Sequence, residues 1–334
     1  MHTLLSDTRD KIPDAPAVYF VRPTAENVAA IARDAAQRQY KAQFIHFTAP
    51  TPRPLLQSLA QGVAAANAAA LVSKVVDRYC DFISLEDDLF ALGTPDCYAT
   101  LHRPGQAQDA IMKATYGIAE QLLCVCATLG AVPIIQCTTR GPAQAVAQQL
   151  AGMLHACVDS GSVARDSVFG ALHPDKISSA TGHVIVSRPL LLILDRHVDL
   201  GGMLTHPSTY CGFVSDTLGL RANRTSVPEE GGGRLSLDLD SRLDAFWKQF
   251  AAVPLPEAIE GNDTQLQKVI KEEAALRRKA GGDDDAALGV DASSTLSTQG
   301  LSSAMDSLPA LLKRKQTLQG HTKLLKAIMD VSAA

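Results

Sequence analysis

Short apolar runs alternate with amphipathic segments along the first part of the chain. The runs AVYFV and AQFIHF, at residues 17–21 and 42–47, predict buried strands. Between them, residues 24–36 place their apolar side chains on one side of a helix. A second helical pattern covers residues 52–63, and YCDFISL at residues 79–85 predicts a third strand. Strands and helices that alternate in this way are typical of a parallel sheet.

The same alternation returns in the middle of the chain, after a stretch rich in proline and glycine. Residues 109–129 predict a helix that ends at Gly130, because glycine readily adopts the left-handed conformation that terminates helices. The run LLLILD at residues 190–195 shows no polar alternation, which predicts a strand covered on both faces. Between them, a strand and a helix are predicted at residues 131–137 and 142–158.

Long helices dominate the last part of the chain. Residues 256–280 and 307–331 repeat apolar positions at helical spacing, and in the second segment a leucine recurs every seven residues. The segment between them, residues 281–300, is acidic and rich in small residues, which predicts a flexible linker. Two long helices around such a linker predict a hairpin that projects from the α/β body. The predicted domains are residues 1–93, 94–245 and 246–334.

Composition argues against several classes of protein. The chain has 334 residues, is 46% hydrophobic and carries a formal net charge of −4, so it lacks the basic excess typical of nucleic-acid binding. Its seven cysteines, with no CxxC pair, argue against a disulfide framework or a zinc site and favour a reducing compartment. Residues 1–16 show no apolar run of a signal peptide. The most apolar window, residues 118–137, is divided by Gly130 and Pro133 into a helix end and a strand rather than a membrane span.

The stretch RPLLLILDRHVDLGGMLTH is the best candidate for catalytic chemistry. Asp195 lies at the end of a predicted parallel strand, where α/β enzymes place catalytic groups. With His197 and His206 it has the residue types of a hydrolase or a metal site. The alternative is structural: Asp195 pairs with Arg196, and His206 caps the following helix. We favour the structural interpretation, because charged clusters also arise from structural networks.

Other motifs of nucleotide-binding and hydrolytic sites do not occur. The chain contains no GxxxxGK[ST] phosphate loop, no GxGxxG turn, no GxSxG elbow and no HExxH pair. We therefore expect neither a bound cofactor nor a metal ion, and no catalytic residue is assigned.

Several longer segments, in one order, resemble a known family. They are DKIPDAPAVYFVRPTAENV, FISLEDDLFAL, TLGAVPIIQC, RPLLLILDRHVDL and HPSTYCGFVSDTLGLRANR. Together they resemble the SM proteins (Sec-one/Munc-eighteen), which bind syntaxins and regulate vesicle fusion, and within them the Sly-one branch of ER–Golgi traffic. FWKQF and LPALLKRKQTLQGHTKLLKAIM continue the resemblance almost to the last residue.

The resemblance implies a fold and a function. The fold is an arch with two parallel-sheet α/β domains, the first incomplete here, followed by the start of an inserted, mainly helical domain. The function is that of a non-enzymatic adaptor that binds a Golgi Qa-type syntaxin and the assembled SNARE complex and promotes vesicle docking and fusion. Such a protein is cytoplasmic and associates peripherally with ER and Golgi membranes through its partners. Asp195 and Arg196 are then structural.

The resemblance also implies two binding surfaces. The pocket for the N-terminal peptide of a syntaxin is lined by Leu56, Leu59, Ala60, Val72 and Val75. From periodicity alone, the favoured interpretation is that Leu56 and Leu59 face the core. The SNARE-contact helix presents Leu311, Leu318 and Leu325 at heptad spacing. The alternative for these three leucines is packing inside the helical hairpin.

Overall fold

The chain forms two compact units in a computed structural model. The first unit comprises Met1–Ser84 and Phe90–Asp199, and the second comprises Leu85–Leu89 and Leu200–Ala334. This division does not coincide with the boundary predicted after residue 93. The structure describes residues 2–159, 169, 188–228, 232–279 and 298–332.

A three-stranded parallel sheet forms the first part of unit 1. Its strands lie in the order β1-β2-β3, and the connecting helices are α1 and α2. Thr24 caps α1, since its side chain accepts a hydrogen bond from the Asn27 backbone N–H at 3.2 Å. The bounds are β1 (Ile12–Val21), α1 (Ala25–Ala36), β2 (Tyr40–Phe47), α2 (Arg53–Ala65) and β3 (Val72–Asp77).

Alternate residues of these strands pack under the two helices. Tyr19 on β1 pairs with Ile45 on β2, and both are buried in the same core. The opposite face of the sheet is open, with Val18 and Phe20 exposed by 69% and 64%. The helices contribute the other large members of this core, which are Val28, Ile31, Leu59 and Val63.

The third strand is not where the sequence predicts it. It is formed by Val72–Asp77, and Tyr79 then takes a positive φ of 52°, which ends the extended backbone. Residues 79–85 contribute only the two-residue strand β4 (Ile83–Ser84), which pairs antiparallel with β5 (Phe90–Ala91). The prediction failed because VSKVVD has no regular apolar alternation, whereas YCDFISL contains the aromatic and β-branched residues that favour strands.

The second part of unit 1 follows the prediction more closely. Gly130 ends α4 with a left-handed φ of 65°, and β6 pairs in parallel with β7. Only one face of β7 is covered by described residues, because Leu190 and Leu192 are exposed, which corrects the prediction of a strand covered on both faces. The bounds are α3 (Cys97–His102), α4 (Gln108–Leu129), β6 (Ile134–Cys137), α5 (Pro142–Asp159) and β7 (Leu190–Ile193).

Helix α4 has the length and mean hydropathy of a membrane-crossing helix, and it is the only described helix that does. Its apolar side chains are used in the core of unit 1, where they pack against Val146 and Leu150 of α5. The α4 residues in this core are Ala119, Leu122, Leu123 and Cys126.

Unit 2 packs short helices and a two-stranded antiparallel sheet against a long helical hairpin. The chain passes from α7 directly into a π-helical turn, Val214–Leu218. The bounds are α6 (Gly201–Leu204), α7 (Tyr210–Phe213), β8 (Arg224–Pro228), β9 (Arg234–Asp238), α8 (Ala245–Phe250), α9 (Leu255–Lys279) and α10 (Thr298–Ser332). Its buried core is made of Tyr210, Val214, Val227, Leu239, Phe246, Trp247, Ala258, Val269, Leu318, Leu324, Leu325 and Ile328.

One predicted helix boundary is corrected in unit 2, whereas the domain boundary between residues 245 and 246 stays a prediction. The core of unit 2 contains residues from both sides of that domain boundary, from Tyr210 to Ile328. The second long helix begins at Thr298 instead of residue 307, so the last three residues of the predicted linker, 298–300, belong to α10. The rest of that linker, residues 281–297, lies outside the described residues.

Two helical glycines provide a paired test of this packing. Replacement of glycine by alanine inside a helix ordinarily stabilises a protein by about 0.5–1 kcal/mol. At Gly152 in α5 a Cβ would meet no atom within 4 Å, whereas at Gly261 in α9 it would lie 2.4 Å from the Phe250 ring. We expect Gly152→Ala to raise and Gly261→Ala to lower the free energy of unfolding, as measured by urea denaturation. Equal shifts in the two variants would contradict the close approach of α8 and α9.

Candidate functional site

The carboxylate of Asp195 connects the end of β7 to the start of α5. It accepts a hydrogen bond from Thr138 Oγ1 at 2.8 Å and another from the Ala143 backbone N–H at 2.9 Å. Asp195 is only 7% exposed, and a Cβ on Gly141 would lie 2.2 Å from its Oδ2 atom. Its oxygens therefore accept hydrogen bonds from a backbone N–H at the start of α5 and from a hydroxyl at the end of β6. This is a structural role.

The partners predicted for this stretch are corrected. No ion pair joins Asp195 to Arg196 in the described parts of the chain. His206 does not cap a helix, because its Nδ1 atom contacts the Asp216 carboxylate and Thr209 caps α7 instead.

The enzyme hypothesis finds no support in this arrangement. The ring of His197 packs edge-on against His102 at 5.2 Å, and no polar contact links it to Asp195. Among the residues that the structure describes, no three potential ligands of the His, Cys, Asp or Glu type come together. Each oxygen of Asp195 accepts a hydrogen bond from within the fold, and the residue is 7% exposed, which agrees with a structural role.

Helix α2 and strand β3 carry the five residues predicted for the peptide pocket. Asp77 at the end of β3 accepts two hydrogen bonds from Thr51, from Oγ1 at 2.6 Å and from the backbone N–H at 3.1 Å. Thr51 lies two residues before the start of α2, so these contacts hold the start of the helix near the end of the strand. The two elements that bear the predicted residues are thus connected locally.

An irregularity in β3 decides which of its side chains face α2. Val72 pairs with Gln43, but Lys74 pairs with the next residue, Phe44, so one residue of β3 is left out of the register. Such a bulge changes the alternation of side chains beyond it. Val75 therefore lies opposite Ile45, on the side of the sheet that packs under the helices, and Val72 contacts the same core.

The five predicted pocket residues divide into two groups. Leu56 and Val75 are exposed by 44% and 37%, and Ala60 is also exposed. Leu59 is only 4% exposed and lies in the core of the first sheet, while Val72 is half-buried against that core. The expectation that Leu59 is an accessible wall residue is therefore wrong, because it shares the inward side of α2 with Val63 and the sheet covers that side. We call the exposed group, Leu56, Ala60 and Val75, the α2–β3 surface.

The leucines predicted for the SNARE-contact helix are turned inward. Leu318 and Leu325 are exposed by only 1% and 4% and belong to the core of unit 2, and Leu311 is half-buried against it. Their heptad spacing serves packing within the hairpin, which was the alternative left open by the sequence. The apolar residue of this part of α10 that reaches solvent is Leu312, at 37%.

Polar contacts also join the two long helices. Lys315 on α10 donates to Glu273 on α9 at 2.6 Å, and Asn262 on α9 donates to Thr322 on α10 at 2.8 Å. A further buried polar group on α10 is His321, which is 1% exposed and was not predicted from the sequence. No local pattern marks this histidine, since its partners are far away in the sequence.

The chain belongs to the Sec1 family, whose sequence profile matches residues 2–333. It is 36% identical over 334 residues to the SEC1 family transport protein SLY1 of Oryza sativa subsp. japonica, covering 98% of this chain and 50% of that protein. It is 30% identical over 342 residues to the protein SLY1 of Saccharomyces cerevisiae, covering 99% and 49%. The chain thus spans about half the length of the curated relatives it matches.

Solved structures give the same assignment of the fold. Sly1p in complex with an N-terminal peptide of Sed5p superimposes with a TM-score of 0.73 at 28% identity, over 98% of this chain and 47% of Sly1p. Vps45 in complex with the Qa SNARE Tlg2 superimposes with a TM-score of 0.70 at 17% identity, over 98% and 51%. The parallel α/β architecture is therefore that of the SM proteins.

The structural role of Asp195 gives a direct test. Removal of a carboxylate that satisfies a buried backbone N–H costs about 1–3 kcal/mol. We expect Asp195→Ala to lower the free energy of unfolding by that amount and Asp195→Asn to lose less, because an amide oxygen can still accept from Ala143. Urea denaturation of both variants measures this. A stability equal to that of the wild type, or stoichiometric metal in the purified wild type that Asp195→Ala loses, would restore the enzyme hypothesis.

Proposed function

We propose that this protein is an SM-type adaptor that binds a Golgi or ER syntaxin, a Qa-type SNARE, and promotes SNARE assembly. In this proposal it acts in vesicle docking and fusion between the ER and the Golgi. It works by binding and not by catalysis. It is cytoplasmic and reaches the membrane peripherally, through its SNARE partners.

The observation that carries the proposal is the α2–β3 surface in a chain similar to Sly1p. The structure of Sly1p has been solved with an N-terminal peptide of Sed5p. Sly1p is similar in structure to 98% of this chain, and the match covers 47% of Sly1p. In this chain, α2 and β3 expose the apolar side chains of Leu56 and Val75, while the other side of α2 is buried in the core through Leu59 and Val63. A helix of this kind has a second apolar side available for a partner.

The physical chemistry of the α2–β3 surface suits a short peptide. Leu56 and Val75 are exposed by 44% and 37%, and covering such a partly exposed side chain contributes about 1 kcal/mol. Two or three such contacts, with backbone hydrogen bonds at an exposed edge strand, are typical of peptide recognition. Strand β3 is an edge of its sheet among the described strands, so its outer side is open to such contacts.

We also propose a SNARE contact on the helical hairpin, but not through Leu311, Leu318 and Leu325. Since Leu318 and Leu325 are buried, a SNARE helix that binds α10 must use its outward side. That side carries Leu312 among polar residues, including Gln316 and Gln319. This contact is a weaker part of the proposal than the peptide surface.

Charge placed on the α2–β3 surface should weaken peptide binding while the protein stays folded. We expect Leu56→Lys and Val75→Lys each to reduce affinity for the Sed5p N-terminal peptide at least about tenfold, because a lysine in an apolar contact loses hydration. Fluorescence anisotropy with labelled peptide measures the affinity. Ser58→Lys adds the same charge elsewhere on α2 and should leave affinity unchanged.

Leu59→Lys distinguishes the effect of a charge in the core from the effect of a charge on the α2–β3 surface. Because Leu59 is buried, this variant should lose several kcal/mol of stability and not only affinity. Native affinity in Leu56→Lys and Val75→Lys, with both variants fully folded, would refute the assignment of the peptide to this surface.

A further inference from the structure

A continuous chain of buried polar groups crosses the core of unit 2. Tyr210 on α7 contacts His321 on α10, with 2.9 Å between the hydroxyl oxygen and Nδ1. The other ring nitrogen of His321, Nε2, lies 2.8 Å from Oδ2 of Asp244. The second carboxylate oxygen of Asp244 accepts the Trp247 backbone N–H at 2.9 Å and so caps α8. The exposed fractions of Tyr210, His321 and Asp244 are 0%, 1% and 7%.

The direction of these hydrogen bonds follows from the carboxylate. Burial alone would raise the pKa of Asp244, but the hydrogen bonds from His321 and from the α8 backbone outweigh it and lower the pKa, so the group is ionised. An ionised carboxylate only accepts, and Nε2 of His321 is therefore the donor to it. Burial raises the pKa of Tyr210, so its hydroxyl keeps the proton and can donate to Nδ1.

Aromatic side chains pack against this polar chain. The His321 ring lies 4.6 Å from the Phe246 ring, between centroids, and nearly parallel to the Trp247 ring at 6.2 Å. Burial of three polar groups among such neighbours costs several kcal/mol unless all of them are paired. A fully paired network therefore tolerates one arrangement of its members and penalises others.

Exposed apolar residues adjoin the inward side of α10. Leucine and isoleucine residues face the core, but Leu312, Met329 and Val331 are exposed by 37%, 47% and 50%. Met329 lies four residues after Leu325 and Val331 three residues after Ile328, so a small rotation of the helix would exchange some apolar side chains for others, and hydrophobic burial by itself is not directional. The inward set is Leu318, Leu324, Leu325 and Ile328.

We propose that the chain Tyr210–His321–Asp244 selects one rotation of α10 and so determines which side of the hairpin faces solvent. His321 acts here as a positioning residue, because it ties α10 to α7 and to the start of α8 at the same time. Rotation of α10 by one residue would remove both contacts and leave Asp244 buried without its partner. The proposal concerns the packing of unit 2 and holds whatever the outward side of α10 binds.

The test replaces the polar chain with residues that keep the packing. The triple variant Tyr210→Phe, Asp244→Ser, His321→Leu removes every link, while serine still caps α8. Hydroxyl-radical footprinting with mass spectrometry then compares labelling of the outward set, Leu312, Met329 and Val331, with that of the inward set. We expect the variant to remain cooperatively folded and the protection of the inward set relative to the outward set to fall several-fold.

A matched control removes a different polar contact of the same helix. Lys315→Met breaks the bond to Glu273 but leaves the three-residue chain intact, so its footprint should match the wild type. A folded triple variant with the wild-type footprint would overturn the proposal and reduce the network to a contribution to stability. If the triple variant does not fold, Tyr210→Phe alone must show the same change at smaller amplitude, and an unchanged footprint there overturns the proposal equally.

Discussion

The packing of α2 against the first parallel sheet is the constraint on which the candidate binding surface depends. Leu59 and Val63 lie one turn apart and are both buried, so they fix the rotation of the helix on the sheet. With that side covered, Leu56 and Ala60 are turned to solvent, and Val75 is exposed on the edge strand. The affinity of the surface for a peptide is therefore limited by how firmly the core holds α2.

The rotation of the long helix α10 must also be fixed, and here we propose that a polar network contributes. Its buried apolar residues lie on one side, but the exposed Met329 and Val331 adjoin that side, so a small rotation would exchange apolar neighbours. A buried histidine bonded to a tyrosine and an aspartate supplies the missing direction. Polar networks of this kind add specificity to a core, whereas apolar contacts add most of its stability.

The sequence predicted the order of helices and strands but not the orientation of the site residues. Gly130 ended α4 as expected, because that signal is local. The third strand was misplaced, since a bulge interrupts its alternation. The heptad leucines of α10 could not be assigned, because the same spacing suits internal packing and partner binding. His321 escaped notice because its partners lie 77 and 111 residues away in the sequence.

The central claim is that a syntaxin N-terminal peptide binds unit 1 at the α2–β3 surface. The most direct measurement is a titration of the methyl-labelled protein with the Sed5p N-terminal peptide, followed by NMR. The account predicts saturable shifts at the methyl groups of Leu56, Ala60 and Val75, with the signals of Leu318 and Leu325 unchanged. Shifts confined to α10, or no shifts at peptide concentrations far above those that saturate Sly1p, would contradict it.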